Sequence, residues 1–151
     1  MDVVYRYDNP NSENEKEARE VPRIQTGDRA VAEGSVVMNE AAFTAFVSGA
    51  GEGRSDAWTV ARIAGIQGAK RADELILISY TYNINKIEMD YRVDNDSKKV
   101  TVVCEVTVTE RVGAEAAALV GCSTALMSLV NSLRVVDREM RIDGLKVRRV
   151  Q

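Results

Sequence analysis

The segment that most constrains the fold is EAAALVGCSTALMSLVNSLRVV, residues 115–136. It is apolar almost all the way round and too long for a strand, so it predicts a buried helix that packs on a sheet or against a partner subunit. The rest of the chain has to supply a broad apolar surface. VTVVCEVTVTERV supplies one: Val102, Cys104, Val106 and Val108 alternate with Thr101, Val103, Glu105, Thr107 and Thr109. Upstream, across the turn NDSKK, ILISYTYNINKIEMDYRVD is also rich in β-branched and aromatic residues. Together they predict one antiparallel hairpin with a buried face.

Two further helices are expected before the hairpin. Asn39 is a good N-cap for EAAFTAFV, which puts Phe43, Phe46 and Val47 on one face. SGAGEGRS then ends it, and because Gly49, Gly51 and Gly53 have no strand before them and no GKS or GKT after them, they read as a connector rather than a phosphate cradle. Ser55 and Asp56 can cap the second helix, DAWTVARIAGIQGAKRADEL, whose Val60, Ile63, Ala64, Ile66 and Gln67 recur at helical spacing with Arg62, Lys70 and Arg71 on other faces. Gly65 and Gly68 each cost about 1 kcal/mol of helix propensity relative to Ala, which close approach of the helix to a sheet or a ligand would explain, packing being the commoner cause. DGLKVRRVQ reads as a last strand after an Asp-Gly turn. Helix, helix, hairpin, helix and strand in that order predict an α+β sandwich, helices layered on a mostly antiparallel sheet. A chain of 151 residues suits a single core. Residues 1–27 read as a polar, partly disordered leader with Val3–Tyr7 available as an edge strand, and 28–151 as one domain.

The chain has no histidine, which removes Ser-His-Asp and Cys-His nucleophiles, imidazole zinc sites and imidazole acid–base catalysis from its own repertoire. A net charge of −3 argues against a nucleic-acid partner, since phosphate backbones select for an excess of Lys and Arg. Cys104 and Cys122 lack metal-site or redox spacing and read as buried thiols in a reducing compartment. No apolar run is expected to reach the ~20 residues of a membrane span, and the N-terminus lacks a signal pattern, so the chain reads as cytoplasmic, with no membrane partner and no metal.

Three segments in order resemble one family: AVAEGSVVM at 30–38, ARIAGIQGAKRADELI at 61–76 and VGAEAAALVGCSTALMSLVNSLRVVDREM at 112–140. They are similar to cyclic pyranopterin monophosphate synthase, molybdenum cofactor biosynthesis protein C. The Ala-Arg-Ile-Ala-Gly-Ile run leading into Ala-Lys-Arg is the most specific part, and the resemblance covers about residues 28–150. It implies a ferredoxin-like subunit forming dimers that build a hexamer, with each active site shared across a subunit boundary. It also implies conversion of a cyclic dihydro-GTP derivative to cyclic pyranopterin monophosphate with loss of pyrophosphate and no redox cofactor.

Carried over position by position, the resemblance places catalytic roles at Lys70, Glu115, Asn131 and Arg134, and substrate contacts at Arg54, Ile78, Ser79, Tyr80, Ala116 and Ala117. Lys70, Arg71 and Glu115 are retained. Arg54 and Arg134 stand where the family has lysine, Tyr80 where it has histidine, Ala117 where it has a second glutamate and Asn131 where it has aspartate. Near the start, the family's Arg-Glu-Ala falls on Asp28, Arg29 and Ala30, and the family's Gly- and Lys-rich C-terminal tail has no counterpart before Gln151. The changes share a direction. Lys to Arg keeps a cation but one that does not release a proton near neutral pH, while His to Tyr, Glu to Ala and Asp to Asn each remove a group titrating between about pH 4 and 7. General acids and bases contribute ~10²–10⁴ each, so the expectation is a divergent member with little or none of the family activity. The alternatives are a non-catalytic binding or structural partner in mixed oligomers with an intact synthase, or an altered phosphate- or nucleotide-binding protein. The expected ligand is a GTP-derived or other phosphorylated small molecule.

Overall fold

A computed structural model describes residues 5–8, 27–49, 56–77, 83–110 and 112–150. Five strands, β1 (Tyr5–Asp8), β2 (Asp28–Val37), β3 (Ile84–Asp94), β4 (Lys99–Val108) and β5 (Arg141–Arg149), form one sheet in the order β1-β3-β4-β2-β5. Every pairing is antiparallel. The helices are α1 (Glu40–Gly49), α2 (Ala57–Lys70), α3 (Ala72–Leu75) and α4 (Ala114–Leu133). They contact one another and form a single layer, with α4 lying across β2, β4 and β5 and α2 reaching β3. The architecture is the expected α+β, ferredoxin-like sandwich.

The hairpin forms as its alternation predicts. Val100, Val102, Cys104, Val106 and Val108 of β4 are fully buried, as are Ile87 and Met89 of β3, and Lys98 takes a positive φ of 53° in the turn between them. The residues of the other sheet face pair as ions instead: Arg29 with Glu105 at 2.8 Å, Lys86 with Glu88 at 2.8 Å, and Glu33 with both Arg92 and Lys146 at 3.0 Å. This two-sided chemistry is what a sheet with helices on one face requires. The edge strand expected at Val3–Tyr7 occurs one to two residues later, as β1 with Tyr5 opposite Met89.

Several expectations are corrected. β2 was not expected as a strand, yet it lies between β4 and β5. Its Ala30, Ala32 and Val36 are fully buried. The Asp-Gly pair near the C-terminus is not a turn before β5 but a bulge within it: Glu33 pairs with Lys146 and Ser35 with Asp143, leaving one extra residue on β5, and Gly144 absorbs it with φ +65°. In α1, Ala42, Phe43 and Phe46 face the core while Val47 is exposed. In α2 the buried face is Trp58, Ala61, Gly65, Ile66, Gly68 and Ala69, whereas Val60 and Ile63 point outward. Finally, α4 is 20 residues long and apolar enough to cross a membrane, contrary to the sequence expectation, but half of it is buried, as the core helix of this sandwich.

Small residues explain the α2 face. The carbonyl of Gly121 on α4 lies 2.9 Å from where a Gly65 Cβ would sit, and Ala125 Cβ lies 3.1 Å from it. Gly121 in turn approaches Ala69 and the Gly65 carbonyl. As α2 advances from Gly65 to Ala69, its contacts on α4 step back from Ala125 to Gly121, so the two helices run antiparallel. A large side chain at this seam would force them apart. That is why Val60 and Ile63 face outward. An aromatic cluster closes one end of the layer, with Tyr91 ring centroids 4.6 Å from Trp58 and 5.3 Å from Phe46.

Candidate functional site

α4 carries most of the described candidate residues, but at its two ends. Glu115, Ala116 and Ala117 occupy its first turn, whereas Asn131 lies near its last and Arg134 is its C-cap. With a rise of 1.5 Å per residue, the 16 residues from Glu115 to Asn131 span about 24 Å. Because α2 runs antiparallel to α4, its last residue, Lys70, belongs to the Glu115 end. One subunit therefore separates the candidate residues into two groups. Arg54, Ile78, Ser79 and Tyr80 lie outside the described residues.

At the first end, the N-cap of α4 is Gly113, with φ 111° and no capping side chain. Asp28, buried at the start of β2, reaches across instead: its Oδ2 accepts the amide N–H of Ala114 at 3.3 Å. Asp28 Oδ1 accepts from Arg149 Nε and Nη2 at 3.0 and 2.9 Å, and the same Nε lies 3.5 Å from Glu115 Oε1. A carboxylate close to a helix N-terminus and bonded twice to a guanidinium is favourably placed. Its partner comes from the last residue of β5, so the charge exchange seen in the sequence at Asp28 is answered 121 residues later. Ala116 is half-buried. Ala117 is fully buried in the core cluster.

At the second end, Arg134 folds back on the helix, its Nη1 donating to the Asn131 backbone carbonyl at 2.6 Å and to Asn131 Oδ1 at 2.9 Å. A neutral amide holds the guanidinium without cancelling its charge, as an aspartate there would. Arg134 lines a groove of about 450 Å³ together with Val130, Val135, Asp137, Arg138 and Met140. Asp137 and Arg138 also line a neighbouring groove of about 390 Å³ that extends to Asn39 and Arg141. Asp137 is buried and structural: Oδ2 accepts the Asn39 N–H at 2.7 Å and Oδ1 the Glu139 N–H at 2.9 Å. It thus ties the start of α1 to the turn after α4, while Asn39 caps α1 through Ala42 N–H at 2.8 Å. Sequence reasoning did not single out Asp137 or Arg138. The only signal for them was an acid-base pair directly after the apolar helix.

The thiols offer no nucleophile. Burial raises both, Cys122 to about 12 and Cys104 further still. Among the described residues no group of three or more His, Cys, Asp or Glu is placed to hold a metal.

A family profile, the MoaC family, matches residues 21–151. The chain belongs to that family. Among curated relatives, the cyclic pyranopterin monophosphate synthase of Chloroflexus aggregans is 34% identical over 122 residues, covering 81% of this chain and 73% of the relative. The synthase of Clostridium botulinum is 32% identical over 120 residues, covering 80% and 75%, and that of Parvibaculum lavamentivorans 33% over 124 residues, covering 82% and 77%. Membership of the MoaC family supports a role in molybdenum cofactor biosynthesis.

Proposed function

We propose that this MoaC-family chain binds the phosphorylated part of a GTP-derived compound related to the synthase substrate, and performs little or none of the synthase reaction. The observation that carries the reading is the Asn131–Arg134 contact: a fixed cation held by a neutral amide where the family pattern pairs lysine with aspartate. Arg134 offers charge to an oxyanion but no proton at neutral pH. Tyr80 and Ala117 extend the same loss to the positions of the family's histidine and second glutamate. Lys70 and Glu115 are then the remaining described candidates for proton transfer. The site they would share with Arg134 is completed across a subunit boundary, because a single subunit keeps the two groups at opposite ends of α4. The assembly in this reading is a homo-oligomer built from dimers, up to a hexamer, in the cytoplasm, with the domain spanning 28–151 and the polar segment 1–27 before it lending β1 to the sheet. The test is a direct assay for cyclic pyranopterin monophosphate from the cyclic dihydro-GTP derivative, alongside calorimetric binding of that compound. Binding with product formation at least a thousandfold below an intact synthase is expected. Turnover comparable to that synthase overturns the reading.

A second reading, a non-catalytic subunit in mixed oligomers with an intact synthase, draws on the exposed apolar residues beside the C-terminal end of α4, Met127 and Val135, which are 55% and 84% exposed. Co-expression with an intact synthase and mass measurement of the purified assembly separates it from the first: purely homomeric species exclude it.

A further inference from the structure

Arg138 stands outside every position carried over from the family resemblance, and its surroundings mark it as more than a solvated charge. Its backbone is pinned on both sides, since Asp137 N–H donates to the Leu133 carbonyl at 3.0 Å and Glu139 N–H to Asp137 Oδ1 at 2.9 Å. Arg138 lines both grooves at the end of α4. Among the described residues it has no ion-pair or hydrogen-bond partner. Arg134 lines the larger groove with it, and only the Nη1 of Arg134 is engaged, leaving Nε and Nη2 without a described partner. The one carboxylate bordering that groove, Asp137, has each oxygen occupied by a backbone N–H. Val130, Val135 and Met140 supply the apolar part of its walls.

We propose that Arg138 and Arg134 act together as a two-guanidinium clamp for a diphosphate group, seated in the groove between them. This rests on the anion-binding reading above and adds to it a residue, Arg138, and the groove in which the phosphates sit. Planar guanidiniums suit the purpose because each can present two parallel N–H donors to a phosphoryl oxygen pair. A groove of about 450 Å³ lies within the ~300–1,000 Å³ range of small-ligand sites and is roomy enough for a diphosphate carrying a further substituent. Cations after a helix C-terminus also offset the helix dipole, but that role asks only for positive charge and would be met equally by lysine. The clamp asks for the fork.

The test is isothermal titration calorimetry of the full chain with inorganic pyrophosphate, and separately with GTP, at fixed ionic strength, for the parent, R138Q, R138K, R134Q and N131D, each first shown to unfold at the parent's midpoint. Pyrophosphate is expected to bind the parent. R138Q and R134Q should each weaken it at least tenfold, and R138K should fall between R138Q and the parent. N131D should also weaken binding, because an aspartate would pair with Arg134. GTP binding should lose affinity in R138Q by the same factor. If R134Q weakens pyrophosphate and R138Q does not, or if GTP binds with indifference to Arg138, the clamp is overturned while the anion-binding reading stands. If the parent binds neither ligand, both fall together.

Discussion

Substituting Gly65 with alanine tests the close approach of α2 and α4 on which the whole helix layer depends. In a helix interior the added methyl group contributes about 1 kcal/mol of propensity. Against it stand the Gly121 carbonyl at 2.9 Å and Ala125 Cβ at 3.1 Å, neither of which can rotate aside. The Met89 methyl also occupies this space and is fully buried, with little room to swing away. There is little spare room one turn along α4 either, since a Cβ built on Gly121 would lie only 3.1 Å from Ala69 Cβ and 3.0 Å from Cys104 Sγ. Forcing a methyl group into a packed core costs about 1–3 kcal/mol, and a rigid backbone neighbour puts this site in the upper part of that range. The net expectation for Gly65→Ala is a loss of about 1–2 kcal/mol, a fall in Tm of about 2–8 °C for a chain of this size. The matched control is Gly49→Ala at the end of α1, where a Cβ meets nothing within 4 Å. There the substitution should be neutral or stabilising, by up to about 1 kcal/mol. Urea denaturation of both variants at one protein concentration reads the difference. A Gly65→Ala protein as stable as the parent would refute the argument, showing that the seam has slack.

Asp28 should be the most sensitive charged position at the N-terminal end of α4: Asp28→Ala removes a cap and two guanidinium bonds and should cost about 2–3 kcal/mol by denaturant titration, with Asp28→Asn recovering part of it. Cys104 and Cys122 should stay unmodified by a thiol reagent at pH 8 in the folded protein and both react in denaturant, since burial raises each thiol far above that pH; rapid native labelling of either would contradict their placement. Glu33, held between Lys146 and Arg92, has its carboxyl lowered below its ordinary 4.5. Its contribution is therefore complete above pH 4.5 and declines as the pH falls through the lower folded value. Because the cluster is partly exposed, Glu33→Gln should remove no more than about 1 kcal/mol of that pH dependence, read as a shallower loss of stability between neutral and acid pH.

The elements with a strong one-dimensional signal were legible in advance. β4 alternates strictly, Asn39 and Asp56 cap as their side chains allow, with Thr59 N–H 2.6 Å from Asp56 Oδ1, and α4 is apolar around its circumference. β2 was not legible because the valines of DRAVAEGSVV are separated by Ala, Glu, Gly and Ser, which have weak strand preference; its pairing with β4 and β5 makes it a strand. The α2 face was misjudged for a related reason. Periodicity ranks residues by apolar size, which favoured Val60 and Ile63, whereas the seam selects for absence of bulk at Gly65, Gly68 and Ala69. The choice of candidate residues for the site followed from the family pattern. Their separation over α4 and the presence of Arg138 in the groove did not, since neither is encoded in spacing along the chain.

What the sequence determined by itself is chemical inventory: no imidazole, arginines at 134 and 138, an amide at 131, a carboxylate at 115, and a helix too apolar to stand alone. What only the tertiary structure decided is juxtaposition. Asp28 meets Arg149 at one end of α4, while at the other Asn131 holds Arg134 in place and Arg138 lines the same groove, because strands and helices distant in sequence are brought together by the burial of α4. Which groups exist is a local property of the chain; which of them can act on one ligand depends on packing distances that no local pattern contains.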